Sequence, residues 1–592
     1  MKKRVADIII ELLVEEGIVD CFAVVGGGAM YLDNALALND GINKYFNHHE
    51  QACAMAAEAY ARISGKMAAV CVTSGPGATN AITGVMGAWQ DSLPMIVLSG
   101  QVRYAISVEK SGLPLRYRGM QEFEIIPSVK NMTKYAKMIT NPLEIKREVK
   151  KAIHIALEGR RGPVWLDIPQ DIQSAMVEET DLLHSLEFEE KECFTKEDFT
   201  SIMDSLRESK RPCILAGNGI ANSGNIEAFR KFASTLGIPV IAAAIAADVM
   251  PRSHKNYYGL SGSIGPRTGN FIVQNADTIL SLGCSLGFKM TGFAQEYFAP
   301  KAKIISVDVD AYEMKKPGVH VERFIQCGLK EFFKKANQWG YKVEVSKSWI
   351  EYCDKLEQRF SPFEPGENLA PEERVCSYYF WKEYEQQEPD DSISVLGNNT
   401  ANSAKLQIGI HKEKQRIVAN NNCGSMGADL PEAFGAAIAS KKMVVCLTGD
   451  GSIMMNLQEL QTIRHHNLPI KLVVFSNDGY NAFRQTAKNF FDSKYIGCTA
   501  ESGVSFPQFE DVAKTFGFSY KCCNNNQEVR ESLQWLFKNE SLALLEVKQR
   551  LDDPVSPKVM SRVMKDGSFS TPALQDMFPF LEKDEYDGLM LW

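Results

Sequence analysis

Three features are missing from this sequence, and each absence removes a class of function. Its 14 cysteines never stand as C-x-x-C, so neither a zinc site nor a disulfide framework is indicated, and reduced thiols in a cytoplasm are the simpler account. No apolar run reaches the roughly 18 residues of a membrane span, so no membrane partner is expected. The opening MKKRVADIIIELLVEEG has a basic flank and an apolar stretch, but Asp7, Glu11, Glu15 and Glu16 interrupt it. It reads as an amphipathic helix ending at Gly17 rather than a signal peptide. A basic excess is also missing: 65 Lys and Arg stand against 73 Asp and Glu, a net charge of -8. That balance argues against nucleic acid or an anionic membrane surface as the main partner.

What is present is an ordinary globular composition, 45% hydrophobic and 23% charged, on a chain of 592 residues. At about 150 residues per domain, three or four domains are expected. Residues 1–175 alternate helix and strand: helix 5–16, strand 21–25, a Gly26-Gly27-Gly28 turn, strand 44–47, helix 51–64, strand 68–73, helix 78–89, and strands 95–99 and 164–168. The triple glycine lacks the third Gly and the partner acid of a dinucleotide fingerprint, so that reading is rejected. Residues of about 175–205 are acidic and without sustained pattern, and read as a linker. A second α/β unit, 205–340, has strands at 212–216, 239–243, 278–282 and 303–309 and Gly-rich turns at Gly217-Asn218-Gly219 and Gly283–Gly287. After the Pro-bearing stretch 361–373 comes a third unit, 375–550. The tail 551–592 has few apolar repeats, and could close over a site as a lid or wrap the surface.

The most informative stretch is 441–480. Apolar runs at 443–447 and 471–475 bracket a helical pattern with Leu457, Leu460 and Ile463 on one face: strand, helix, strand, the unit of a parallel sheet. One run ends in Gly449-Asp450-Gly451 and the other in Ser476-Asn477-Asp478-Gly479, so both ends lie at the carboxyl edge, where open α/β sheets bind ligands. One carboxylate, one amide oxygen and the carbonyls of a Gly-rich turn suit a hard cation; Mg²⁺ holding phosphates is the best fit. A helix entered at Ser452 would turn its free N–H groups to a diphosphate there.

GDG, 24 residues, then Ser476-Asn477 followed by Asp-Gly-Tyr resembles the diphosphate-binding signature of thiamine diphosphate (ThDP) enzymes, which usually have Asn-Asn in place of Ser476-Asn477. By that resemblance Asp450, Asn477 and the backbone oxygen of Gly479 hold Mg²⁺, with Gly449, Gly451, Ser452 and Tyr480 around the diphosphate. The stretch His49-Glu50-Gln51 to Tyr60-Ala61-Arg62 resembles the H-E-Q-x-A-x-x-A-A-x-x-Y-A-R motif of acetolactate-synthase-like enzymes, with Cys53 in place of an Ala. There the Glu, here Glu50, hydrogen-bonds the pyrimidine nitrogen of ThDP and favours the tautomer that activates it. His48 and His49 do not read as a metal pair. Gly424-Ser425-Met426-Gly427 precedes an Ala-rich helix. In the family the residue at Met426 props the bent cofactor, and the Gly424 carbonyl accepts from its amino group; a flexible thioether suits the former task.

The resemblance implies three doubly wound parallel-sheet domains in series, the pyrimidine, middle and diphosphate domains. It also implies a homodimer or homotetramer with shared active sites. Ser99-Gly100-Gln101-Val102 and Gln121-Glu122-Phe123 resemble acetolactate synthase segments in which the second Gln, here Gln121, contacts the reacting intermediate. Met120 stands where that family has Phe, Lys289 where it has the Arg that grips the acceptor carboxylate, and Thr486 where it has the Trp that selects the acceptor. Lysine keeps the charge and loses the bidentate fork. The expected activity is decarboxylation of a 2-oxo acid, pyruvate, with transfer of the two-carbon unit to an acceptor. The acceptor is a second 2-oxo acid, or alternatively a sugar carbonyl, or a proton to release an aldehyde. The middle domain's Gly-rich turns could hold FAD, and suit an ordinary α/β turn equally.

Overall fold

The computed structural model describes residues 2–183, 192–366, 369–563, 566 and 569–592. Three six-stranded sheets follow one another along the chain, and every pairing within them is parallel. The first holds β1 (Asp20–Ala23), β2 (Asn43–Phe46), β3 (Ala68–Val72), β4 (Met95–Gln101), β5 (Tyr135–Met138) and β6 (Val164–Pro169), in the order β2-β1-β3-β4-β6-β5. The second holds β7 (Pro212–Ala216), β8 (Val240–Ala243), β9 (Tyr257–Ser261), β10 (Thr278–Leu282), β11 (Lys303–Asp308) and β12 (Arg323–Gln326), in the order β9-β8-β7-β10-β11-β12. The third holds β13 (Ile393–Leu396), β14 (Arg416–Ala419), β15 (Val444–Gly449), β16 (Ile470–Ser476), β17 (Ser519–Cys523) and β18 (Ala543–Lys548), ordered β14-β13-β15-β16-β18-β17. The first and third sheets therefore share one topology, 2-1-3-4-6-5 within each.

Five helices matter for the site: α1 (Glu50–Ser64), α2 (Arg267–Asn275), α3 (Thr400–Ile408), α4 (Asp429–Ser440) and α5 (Asn481–Phe490). Helices α1 and α4 form the seam between the first and third units. Their sequences, EQACAMAAEAYARIS and DLPEAFGAAIAS, are rich in small residues because the backbones nearly touch. A Cβ on Gly435 would lie 2.0 Å from the Ala56 carbonyl oxygen. This seam encloses charge as well as methyl groups. The Arg62 guanidinium bonds Asp91 and reaches Glu58 at 3.2 Å, all three buried. Burial pushes the Glu58 carboxyl up to about 8 and outweighs Arg62. Glu432 on α4 is fully buried, and neither of its carboxylate oxygens has a hydrogen-bond partner among the described residues; desolvation and Glu58 hold its pKa well above the carboxylate range.

Several local expectations need correction. The stretch 175–205 is not wholly a linker: Lys196–Glu208 is a helix, started by a Thr195–Asp198 capping box. It buries Phe199, Ile202, Met203 and Leu206, the helical spacing inside an acidic surround. Residues 184–191 of that stretch lie outside the described residues. The helix expected over 78–89 breaks at Ala81 into Pro76–Asn80 and Ile82–Gln90. The helix after Gly449 is also broken: Asp450–Ile453 is a single turn, and Glu459–His466 starts separately.

The tail is strapped down. Leu574 and Met577 are buried, and α2 holds the tail through its polar side chains. Asn270 donates to the Leu574 carbonyl at 3.0 Å, and Gln274 to Gln575 Oε1 at 2.6 Å. Asn275 donates to the Leu589 carbonyl at 3.1 Å.

Candidate active site

At the carboxyl edge of the third sheet, β15 and β16 lie side by side with Gly449 opposite Phe475, which brings the two expected ligand turns together. Asp450 is buried and accepts three backbone N–H groups, from Gly451 at 2.9 Å, Asn477 at 2.9 Å and Gly479 at 3.3 Å. Burial raises its carboxyl to about 6 against the pull of those bonds. Glycine is required here by space: a Cβ on Gly451 would lie 2.2 Å from the Tyr480 ring, and one on Gly479 2.0 Å from the Cys498 carbonyl oxygen. Asn477 donates to Gln549, and its amide oxygen accepts from Arg484 at 3.2 Å. The Ser452 hydroxyl faces inward, donating to Asp429 at 2.7 Å and accepting from the Gly427 N–H at 3.0 Å. That pair of bonds fixes the Gly424–Gly427 turn against the Asp450 turn. Met426 is half-buried beside it.

Next to this edge is a cavity of about 260 Å³ between the second and third units. Its walls include Gly262, Ser263 and Lys289 on one side and Asn398, Asn399, Gly424 and Ser425 on the other. The Lys289 ammonium bonds the Asn421 carbonyl oxygen, three residues before Gly424. Asn398 donates to the Gly424 carbonyl at 2.6 Å, using one of its two lone pairs. Asn399 caps α3 with its oxygen, and its Nδ2 is buried without a partner among the described residues. An orphaned donor at a cavity wall is what an anionic ligand such as a diphosphate needs. One carboxylate, one amide oxygen and turn carbonyls likewise match a hard cation. The residues present fit both groups. Asn398 and Asn399 were missed in the sequence; a strand followed by Gly-Asn-Asn-Thr before a helix was the available N-cap signal.

Glu50 and Gln121 do not line this cavity. Both stand beside the 75–77 turn at the carboxyl edge of the first sheet. Asn80 donates to Glu50 Oε2 at 2.9 Å, and a Cβ on Gly77 would lie 3.4 Å from Glu50 Oε1. The Gln121 carbonyl closes over Gly75 of the same turn, where a Cβ would be 2.2 Å away, and both residues have φ near +59°. Gly26, Gly28 and Gly100 fill the floor: a Cβ on Gly100 would stand 2.2 Å from the Gly28 carbonyl oxygen. Close packing against Thr73 and Ser74 accounts for Gly26 and Gly28, while a Cβ on Gly27 would meet open space. Gln101 is buried, donating to the Phe123 carbonyl and to Asp167, so it shapes the edge from beneath. His48 packs its backbone N–H on Glu459, and the His49 ring caps α1.

A much larger cleft, about 1750 Å³, opens between the first and second units along Gly217–Gly219 and Gly283–Gly287. It shares Ala244, Lys289 and Asn421 with the smaller cavity.

Residues 3–125 match the thiamine pyrophosphate enzyme N-terminal TPP binding domain, 199–335 the central domain, and 396–547 the C-terminal TPP binding domain. The chain therefore belongs to the thiamine pyrophosphate enzymes, a family of ThDP-dependent catalysts, and within it to the acetolactate-synthase-like branch. Acetolactate synthase 1, chloroplastic, of Zea mays is 30% identical over 575 residues, 94% of this chain and 87% of the relative. The acetolactate synthase large subunit of Lactococcus lactis subsp. lactis (strain IL1403) is 29% identical over 567 residues, 95% of each. The isozyme 2 large subunit of Escherichia coli (strain K12) is 28% identical, covering 91% of this chain and 94% of the relative. No helix among the described residues is long and apolar enough to cross a membrane.

Proposed function

We propose that this chain is a ThDP- and Mg²⁺-dependent carboligase that decarboxylates pyruvate and transfers the two-carbon unit to an acceptor, as its acetolactate synthase relatives are named for. Asp450, Asn477 and the Gly479 carbonyl would hold Mg²⁺ and so anchor the diphosphate. Met426 would support the cofactor rings, with Gly424 beside them. Bound ThDP supplies an electron sink for the pair released with CO₂. Glu50 would hold a proton at the pyrimidine nitrogen, and Gln121 and Lys289 would face the substrates.

The observation that carries the reading is the separation of the two half-sites. Gly424 and Lys289 share one cavity, which neither Glu50 nor Gln121 lines. A second copy would complete each site, making the enzyme a homodimer or homotetramer. Exposed apolar side chains support such a cover: Val25, Met30 and Met120 at the first edge, Met454, Met455 and Phe483 at the third. Mixing inactive Glu50→Gln and Asp450→Ala proteins under subunit exchange restores some pyruvate consumption if sites are shared. Full activity from a demonstrated monomer overturns it.

The acceptor side favours a second reading of the same chemistry. Thr486 is exposed, with its hydroxyl turned back to the Ala482 carbonyl, and offers a small side chain where the resemblance would place an aromatic ring. A larger carbonyl compound, a sugar included, would then replace pyruvate as acceptor. FAD is a candidate ligand of the large cleft, checked by flavin absorbance of the purified protein. Fourteen cysteines with no C-x-x-C spacing support a cytoplasmic enzyme.

A further inference from the structure

The tail packs at 556–559 against the back of residues that line the smaller cavity. The Ser556 N–H donates to the Tyr378 hydroxyl at 2.8 Å, and Gln407 of α3 donates to the Pro557 carbonyl at 2.9 Å. Lys558 pairs with Phe578 in an antiparallel bridge, and the Val559 N–H donates to the Ser263 carbonyl at 2.8 Å. Ser263 and, on α3, Ser403 and Leu406 line the cavity. The strap is therefore held at four consecutive residues, and the Lys558 side chain has a defined direction. Its ammonium meets Gln485 Oε1 at 3.4 Å. Gln485 lies one turn after Asn481 on α5, whose side chain bonds Thr400 at the start of α3.

This pair is unbalanced. Among the described residues no carboxylate is within ion-pair distance of Lys558; the carboxylate of Asp552 is taken by Lys488 at 2.5 Å. Burial of the Lys558 ammonium pulls its pKa below the usual lysine value, with only a weak opposing pull from Asp552. Gln485 spends its oxygen on Lys558, and its Nε2 is buried with no partner among the described residues. The pair thus offers a positive charge and an amide N–H that no oxygen among the described residues fills. A desolvated cation beside an unsatisfied donor is costly unless an anionic oxygen completes it.

We propose that Lys558 and Gln485 form an oxyanion clamp that selects an acceptor substrate with a carboxylate or phosphate at the end away from its carbonyl. This deepens the carboligase reading and rests on it. Lys289, which lines the cavity, is engaged by the Asn421 carbonyl, so the clamp supplies a second, separate point of charge.

The test is calorimetric titration of the ThDP- and Mg²⁺-loaded enzyme, without pyruvate, with two matched pairs: succinic semialdehyde against butanal, and glyceraldehyde 3-phosphate against glyceraldehyde. The charged member of one pair should bind at least tenfold more tightly than its neutral counterpart, and the pair that discriminates tells carboxylate from phosphate. Lys558→Met and Gln485→Leu should each abolish that discrimination while the neutral compounds bind as before, and Lys558→Arg should restore much of it. Equal binding of charged and neutral compounds by the wild type, or undiminished discrimination in Lys558→Met, overturns the clamp. Pyruvate consumption by the wild-type enzyme tests the carboligase reading separately.

Discussion

Replacing Glu50 by Gln isolates a proton from a shape. Asn80 donates to Glu50 Oε2 at 2.9 Å, and a Gln side chain presents an oxygen to the same donor, so α1 and its edge should be undisturbed. Only the capacity to hold and release a proton is lost. General acid–base groups contribute roughly 10²–10⁴-fold, or about 2.7–5.4 kcal/mol at about 1.36 kcal/mol per decade. The variant should therefore lose at least about 100-fold in kcat for pyruvate, while calorimetric affinity for ThDP with Mg²⁺ stays within a few-fold. Circular dichroism and oligomer size should match the wild type. A kcat within about threefold of wild type refutes the role of Glu50. A collapse of cofactor affinity instead shows that the carboxylate acts in binding, and the argument from proton transfer fails.

Other perturbations test the rest of the reasoning. Asp450→Ala should fold and yet bind neither Mg²⁺ nor ThDP measurably; tight ThDP binding by calorimetry would sink the metal assignment. Gly435→Val should destabilise the seam by about 1–3 kcal/mol, because its Cβ would stand 2.0 Å from the Ala56 carbonyl oxygen, and the thermal midpoint reads this directly. Asp167 is fully buried, and burial raises its carboxyl from 3.8 to about 7. The folded state then holds this proton where the unfolded chain has lost it, so stability falls as pH rises from about 4 to 7, by at most about 4 kcal/mol. Asp167→Asn should flatten that part of the stability–pH profile, and parallel profiles would contradict the assignment. A Lys289→Arg, Thr486→Trp double variant should gain acetolactate formation from pyruvate by restoring a bidentate grip and an aromatic wall. Robust acetolactate synthesis by the wild type would show that these two positions matter little.

Central strands were legible because they are buried on both faces and read as short apolar runs: Ala68–Val72 and Pro212–Ala216 are buried throughout. Strands β5, β9 and β12 escaped notice at sheet edges, where one flank is unpaired and the apolar signal thins; β13, β14, β17 and β18 of the third sheet also went unmarked, although β13 and β18 are interior and buried. The ligand turns were legible too, since a carboxylate among glycines at a strand end is a local pattern. Sequence alone thus determined the α/β class and the three sheets in series, and it marked the Gly449–Gly451 and 476–479 turns as neighbours at one sheet edge. Tertiary structure decided which side chains meet. It put Lys289 within reach of the loop before Gly424, moved Glu50 and Gln121 to a different edge, turned Ser452 inward onto Asp429, and laid Lys558 beside Gln485. Those pairings join residues tens to hundreds of positions apart. No periodicity along the chain encodes such a contact, because it depends on how helices of small residues such as α1 and α4 bring whole sheets together.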